Sequence, residues 1–194
     1  MTVLTLRPNG DNAYSQQLSP TPSGTHYTCI DEVTEDTSNY VQVVNTVSAL
    51  VDSYNIQDHT SQSGTISGVV VKAQMIVGGS GSAYLGIRVN STDYYGSLHT
   101  LTTSDALYSD SWANNPNTSA AWSWSDIDAL IGLLKMNVPG SKDSATCYQY
   151  WIEVTYTTST WLYIAKVNGV AGVAINKVNG LLVANMAKIN GVSK

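Results

Sequence analysis

Val69-Val70-Val71-Lys72-Ala73-Gln74-Met75-Ile76-Val77, then Gly78-Gly79-Ser80-Gly81, then Ser82-Ala83-Tyr84-Leu85-Gly86-Ile87-Arg88-Val89-Asn90, is the stretch that decides the fold. Val69, Val71, Ala73, Met75 and Val77 alternate with Val70, Lys72, Gln74 and Ile76. After the glycines, Ala83, Leu85, Ile87 and Val89 alternate with Tyr84, Gly86, Arg88 and Asn90. A period of two places alternate side chains on opposite faces of a strand. The stretch 65–90 therefore predicts a β-hairpin with one face buried. Neither a lysine nor a helix follows the Gly-Gly-Ser-Gly turn, so a phosphate-binding loop is disfavoured.

Working outward, further strands are expected at Val3–Leu6, Thr25–Ile30, Tyr40–Val44, Tyr94–Leu101, Leu107–Trp112, Leu133–Val138 and Cys147–Thr157. In the last, Tyr148, Tyr150, Ile152, Val154 and Tyr156 should share one face, opposite Gln149, Trp151, Glu153 and Thr155. One short helix is expected from Ser125-Asp126-Ile127-Asp128, a capping-box-like start, with Gly132 as its stop. The indoles of Trp122 and Trp124 should clamp it to the sheets. Many short strands between turn residues indicate an all-β, jelly-roll-like antiparallel β-sandwich.

The chain closes on three copies of one phrase, at Ile164–Val170, Ile175–Leu181 and Met186–Val192. Asn-Gly between apolar residues is a strong signal for a type I′ turn. The copies read as a C-terminal repetitive β extension, and each is too small to bury its own apolar face. The predicted division is a body at 1–158 and a tail at 159–194. The residues expected to carry docking or oligomerisation are Lys166, Val167, Asn168, Gly169 and Val170, then Lys177, Val178, Asn179, Gly180 and Leu181, then Lys188, Ile189, Asn190, Gly191 and Val192.

Charge follows the same division. Through Glu153 there are five basic and fourteen acidic residues, a net of −9, whereas the tail holds four lysines and no acid. Such asymmetry suggests an interaction tail. The acidic body argues against nucleic acid as a partner. No segment approaches the apolar length of a membrane-spanning helix. Met1–Leu6 is apolar for too short a run to be an export signal before Arg7-Pro8, which fits a particle component released by lysis or a mature chain without its leader.

The body resembles β-jelly-roll modules of uncharacterised phage and environmental sequences. The matching residues are Leu6–Gly10, His26–Glu32, Asn114–Thr118, Ala121–Leu130 and Cys147–Tyr156. The closing Lys-x-Asn-Gly repeats resemble the ends of some phage structural proteins. The resemblance implies a non-enzymatic virion surface protein, a capsid decoration or fibre component. It would self-assemble through the tail, with a homotrimer as the leading state and other virion proteins as partners. A carbohydrate-binding host-attachment module is the alternative, and an extracellular filament subunit using strand addition is a third reading.

No catalytic residue, cofactor site or metal site is expected. There is no Gly-x-Ser-x-Gly elbow, and His26, His59 and His99 lie in separate segments without metal-ligand spacing. Cys29 and Cys147 are expected to be buried free thiols, with a disulfide between them as the alternative if the terminal strands of the body pair; neither belongs to a Cys-x-x-Cys pair. Asp31, Glu32, Glu35 and Asp36 lack the regular calcium-loop pattern and read as a solvated connection. Tyr84, Tyr94, Tyr95, Tyr108, Trp112 and Trp151 are the candidate aromatic platform for a sugar, set against the general tendency of aromatics to pack in β cores.

Overall fold

The computed structural model describes residues 1–140 and 142–158 and, beyond them, the backbone of six two-residue strands. It divides the chain into two units, Met1–Thr158 and Ser159–Lys194. The first unit contains β1 (Thr2–Leu6), β2 (Pro8–Gln16), β3 (Ser19–Thr21), β4 (Tyr40–Val44), β5 (Leu50–Ile56), β6 (Thr65–Gly78), β7 (Ser82–Val89), β8 (Thr92–Tyr95), β9 (His99–Thr100), β10 (Ala106–Trp112), β11 (Ile131–Asn137) and β12 (Ser144–Thr157). A 3-10 turn spans Tyr27–Cys29, and one short helix, α1, spans Trp124–Asp128.

Two antiparallel sheets result. Sheet A runs β10-β6-β12-β4-β3, with β1 also paired to β12; sheet B runs β2-β5-β11-β7-β8, with β9 also paired to β7. The alternation read from the sequence sets their facing sides. Val69, Val71, Ala73, Met75, Val77, Ile152 and Val154 of sheet A, and Ala83, Leu85, Ile87, Leu134 and Met136 of sheet B, are all buried in one core. Because the side-chain period is two, a one-residue slip would turn such a set to solvent. At about 1.5–3 kcal/mol per buried large aliphatic side chain, that slip is strongly opposed. The fold is the expected antiparallel sandwich.

The stretch 65–90 is not a hairpin, however. β6 pairs with β10 and β12, and β7 with β11, β8 and β9. Both edges of each strand are thus occupied by others, and the two apolar rows face each other across the core. The connection crosses between sheets. Gly79 adopts φ +102°, and a Cβ on Gly81 would lie 2.9 Å from Val77 Cγ2. Glycine is required by conformation at the first position and by space at the second.

Other elements also depart from the local pattern. The segment Thr25–Ile30 is no strand, because the Asp11 carboxylate accepts the His26 and Tyr27 amides at 3.0 and 2.8 Å and caps the 3-10 turn instead. The expected strand Tyr94–Leu101 breaks into β8 and β9. In β12 a register shift between Cys147 and Gln149 leaves Tyr148 without a partner on β6. This bulge takes Tyr148 out of the inward row of Tyr150, Ile152, Val154 and Tyr156, and its ring packs edge-on against Tyr40 at 6.0 Å.

Helix α1 begins earlier than expected. Ser123 is its N-cap and exchanges hydrogen bonds with Asp126 in a capping box. Gly132 does not end it but lies in β11, where a Cβ would be 2.7 Å from the Tyr150 hydroxyl. The indole clamp is present: Trp122 Nε1 donates to Trp112 O at 3.0 Å and Trp124 Nε1 to Gly64 O at 3.1 Å. Both thiols, Cys29 and Cys147, are buried and unbonded. Burial pushes the Cys147 thiol well above its ordinary value.

In the second unit each repeat contributes one antiparallel pair. β13 (Lys166–Val167) pairs with β14 (Val170–Ala171), β15 (Lys177–Val178) with β16 (Leu181–Leu182), and β17 (Lys188–Ile189) with β18 (Val192–Ser193). The left-handed conformation expected of Gly169, Gly180 and Gly191, and the side-chain contacts of the repeats, lie outside the described residues.

The passage from β2 in sheet B to β3 in sheet A is fixed by a fully buried carboxylate, Asp52. Its Oδ1 accepts the Gln17 and Leu18 amides at 2.7 and 2.8 Å; its Oδ2 faces His26 Nδ1 at 2.6 Å and accepts the Tyr54 hydroxyl at 2.9 Å. Removing one partner of a buried ionic group costs about 3–5 kcal/mol because the others are left unsatisfied. Asp52→Ala should lower the thermal midpoint by roughly 2–4 °C per kcal/mol in a chain of this size. Calorimetry checks it; an unchanged midpoint would contradict the assignment.

Candidate functional site

The outward face of sheet B brings aromatic and charged groups together. Register defines its rows. Ile131 of β11 lies between Asn55 and Arg88, Leu133 between Ser53 and Gly86, and Lys135 between Val51 and Tyr84. Strand β8 adds Tyr95 beside Gly86 and Asp93 beside Arg88. Gly86 is the space into which a ring is laid: a Cβ there would lie 2.7 Å from Tyr95 Cδ1. Tyr95 meets Tyr84 edge-on, with centroids 6.1 Å apart. The Lys135 ammonium stands 5.4 Å from both ring centroids, within cation–π range.

A third ring reaches the face from the opposite edge. β2 is irregularly paired between Asp11 and Gln16. There the backbone folds onto Ser53, whose Oγ accepts the Ser15 amide and lies 2.9 Å from the Asn12 and Ser15 carbonyls. Tyr14 projects from this segment. Its hydroxyl donates to Asp93 Oδ2 at 2.8 Å, and the Arg88 guanidinium sits 3.7 Å from its ring centroid while pairing with Asp93. Tyr14 remains 49% exposed, whereas Leu133 is fully buried without belonging to the inter-sheet core. The middle of the face is thus roofed and its aromatic rim open. The bond to Asp93 raises the Tyr14 hydroxyl above its ordinary value, and burial first, then Asp93, pushes Tyr95 up to about 12. Both are protonated donors at neutral pH.

The Ile131 end of the face opens into a recess of about 350 Å³ lined by Asn9, Asn12, Asn55, Asp58, Asp128 and Ile131, among others. Asn12 Nδ2 donates to Asn55 Oδ1 at 2.7 Å across its edge. Asp128 is already held by His59, which approaches through its Nδ1 at 2.7 Å and its amide at 3.0 Å.

Of the six aromatics singled out in sequence, Tyr84 and Tyr95 share this face. Tyr94 and Trp112 pack against the core, as does Tyr108, whose hydroxyl accepts the Thr102 amide. Trp151 lies on sheet A, its ring 5.7 Å from the Arg7 guanidinium. Tyr14, Arg88, Asp93 and Lys135 were not anticipated. The alternation does place Arg88 on the Tyr84 side of its strand; nothing local marks Tyr14. The three histidines do not converge; each faces an aspartate: His26 with Asp52, His59 with Asp128 and His99 with Asp110.

The acidic cluster does not gather either: among the described residues no three metal-ligating side chains meet. Asp36 caps its own turn through the Ser38 amide at 2.9 Å. Glu32 Oε2 is buried with no partner among the described residues.

No family model and no curated protein matches the chain. Solved structures similar in strand arrangement include the CBM22-1 xylan-binding domain of Paenibacillus barcinonensis Xyn10C, at 9% identity and TM-score 0.42, over 80% of this chain and 95% of that one. The C-terminal CBM6 of Zobellia galactanivorans LamC is 9% identical with TM-score 0.42, over 79% and 99%. A mutant of a family 29 carbohydrate binding module is 12% identical with TM-score 0.45, over 80% and 92%. At these values no residue role transfers.

Burial, with Asp31 and Asp36 nearby, raises the Glu32 carboxyl above its ordinary 4.5. A carboxyl raised in the folded state is a penalty when ionised. The penalty is present above the folded value and vanishes as pH falls through it toward the unfolded one. Glu32→Gln should therefore raise the thermal midpoint at pH 7, and the gain should disappear near pH 4. A midpoint difference independent of pH would contradict this.

Proposed function

We propose that the body is a non-catalytic glycan-binding module and that the outward face of sheet B is its binding surface. The observation that carries this reading is the convergence of Tyr14, Tyr84 and Tyr95 with Arg88, Asp93 and Lys135 on one face. Aromatic rings present flat apolar surfaces to the C–H faces of a sugar, and the polar groups beside them orient its hydroxyls. A few oriented polar groups among apolar walls is the general character of a small-ligand site. The adjoining asparagine-lined recess extends the same surface. Among the described residues each histidine is held by an aspartate, and neither thiol is hydrogen-bonded to a histidine.

The test is binding of the full chain to a glycan array, followed by titration calorimetry on the best ligand. Tyr84→Ala and Tyr95→Ala should each weaken it by about five- to thirty-fold, the range for loss of an anchoring aromatic. Unchanged affinity in the double variant would remove this face from the binding site.

We propose further that residues 159–194 join copies of this chain, as on a virion surface, with the trimer as leading state. What supports this is the size of the repeats: a two-residue antiparallel pair cannot sustain itself in water. The apolar residues would then supply most of the attachment, at roughly 25 cal/mol per Å² buried. Replacing Val167, Val170, Val178, Leu181, Ile189 and Val192 with Ser in the full chain should yield monomers by sedimentation, with the body's thermal transition retained. An unaltered oligomeric state would refute the assignment.

A further inference from the structure

We infer that the Lys135 corner of the sheet B face recognises the acidic group of an anionic glycan, one carrying a carboxylate or a sulfate ester. This rests on the glycan-binding reading above and names the substrate class of the same surface. The cation is placed but not consumed. Its ammonium is held 5.4 Å from the centroids of both Tyr84 and Tyr95. An ammonium has three N–H donors, and at this distance from the rings it keeps donors for a hydrogen-bond acceptor. Among the described residues Lys135 takes part in none of the ion pairs. The two other charges on the face are in a different condition: Arg88 is paired with Asp93, and Asp93 also accepts the Tyr14 hydroxyl. Among the described residues Lys135 is thus the charge on the face that no carboxylate neutralises.

The surroundings make this placement informative. Through Glu153 the chain carries fourteen acids against five bases. A lysine in so acidic a body has many carboxylates with which it could pair, yet this one stands between two rings. The hydroxyls of Tyr84 and Tyr95 make no protein hydrogen bond among the described residues, and Tyr95 stays protonated to about 12. An acidic sugar stacked on these rings would bring its anionic group to the ammonium, where a charge-assisted hydrogen bond is about twice as strong as a neutral one. An uncharged sugar would find the same rings but offer that donor only a neutral hydroxyl.

The experiment measures calorimetric affinities of the full chain for polygalacturonate, a sulfated galactan and uncharged xylan, at low and high salt. The expected result is at least about a tenfold preference for one of the acidic polymers over xylan. Salt should erode that preference. Lys135→Met should abolish it by weakening the acidic polymer far more than xylan, and Lys135→Arg should restore it. Equal binding of all three polymers, or a preference that survives in Lys135→Met, overturns the inference and leaves glycan binding standing. Binding to none of these and to no glycan on the array overturns both. The preference and its salt dependence are read on the wild-type chain, so they decide the matter even if a variant fails to fold.

Discussion

A carboxylate sealed between two sheets must be surrounded by donors, and Asp52 organises this body by that requirement. Its four partners come from three places: the amides at the β2–β3 passage, the imidazole at the 3-10 turn and the hydroxyl of Tyr54 on its own strand. The chain is therefore pinned where it leaves one sheet for the other. That pin fixes the end of β2, whose preceding residues fold over Ser53 and carry Tyr14 across the face. The candidate binding surface thus depends on a group buried on the other side of the sheet.

A second constraint ties the sheets through the core. Tyr150 of β12 packs beside Gly132 of β11, where no side chain competes for the space, and its hydroxyl donates to Gly86 O at 3.2 Å. Its ring also meets Tyr54 at 5.5 Å. A buried tyrosine needs a partner for its hydroxyl. Here the partner is the carbonyl of the same Gly86 whose outer side accommodates Tyr95. One residue without a Cβ therefore serves the inner and outer sides of sheet B.

The sandwich was legible because its long strands alternate cleanly, as in 69–77, 83–89 and 150–156. The sheet to which each strand belongs was not, since alternation defines a face and not a neighbour. Strand β2, Pro-Asn-Gly-Asp-Asn-Ala-Tyr-Ser-Gln, carries almost no β-forming residues and is held by contacts to β5 instead. The Asp11 cap at 25–30 acts across fifteen residues, beyond any local window. For the same reason two of the six candidate residues, Tyr84 and Tyr95, were visible in the sequence, while Tyr14 and the use of Lys135 depend on which strands become neighbours.

Strand β12 has a mechanical consequence. It is paired with β6 from Ser144 to Thr157, while its other edge is shared by β4 and β1. Antiparallel ladder bonds lie perpendicular to the strands. Tension applied to the chain beyond Thr157 runs along β12, so these bonds are loaded together, in shear, rather than opened one after another. Drawing β12 out along its own axis therefore demands more simultaneous rupture than drawing out a strand with a shorter ladder. A load carried between the end of β12 and sheet B would pass through the packed core before it could peel either sheet apart.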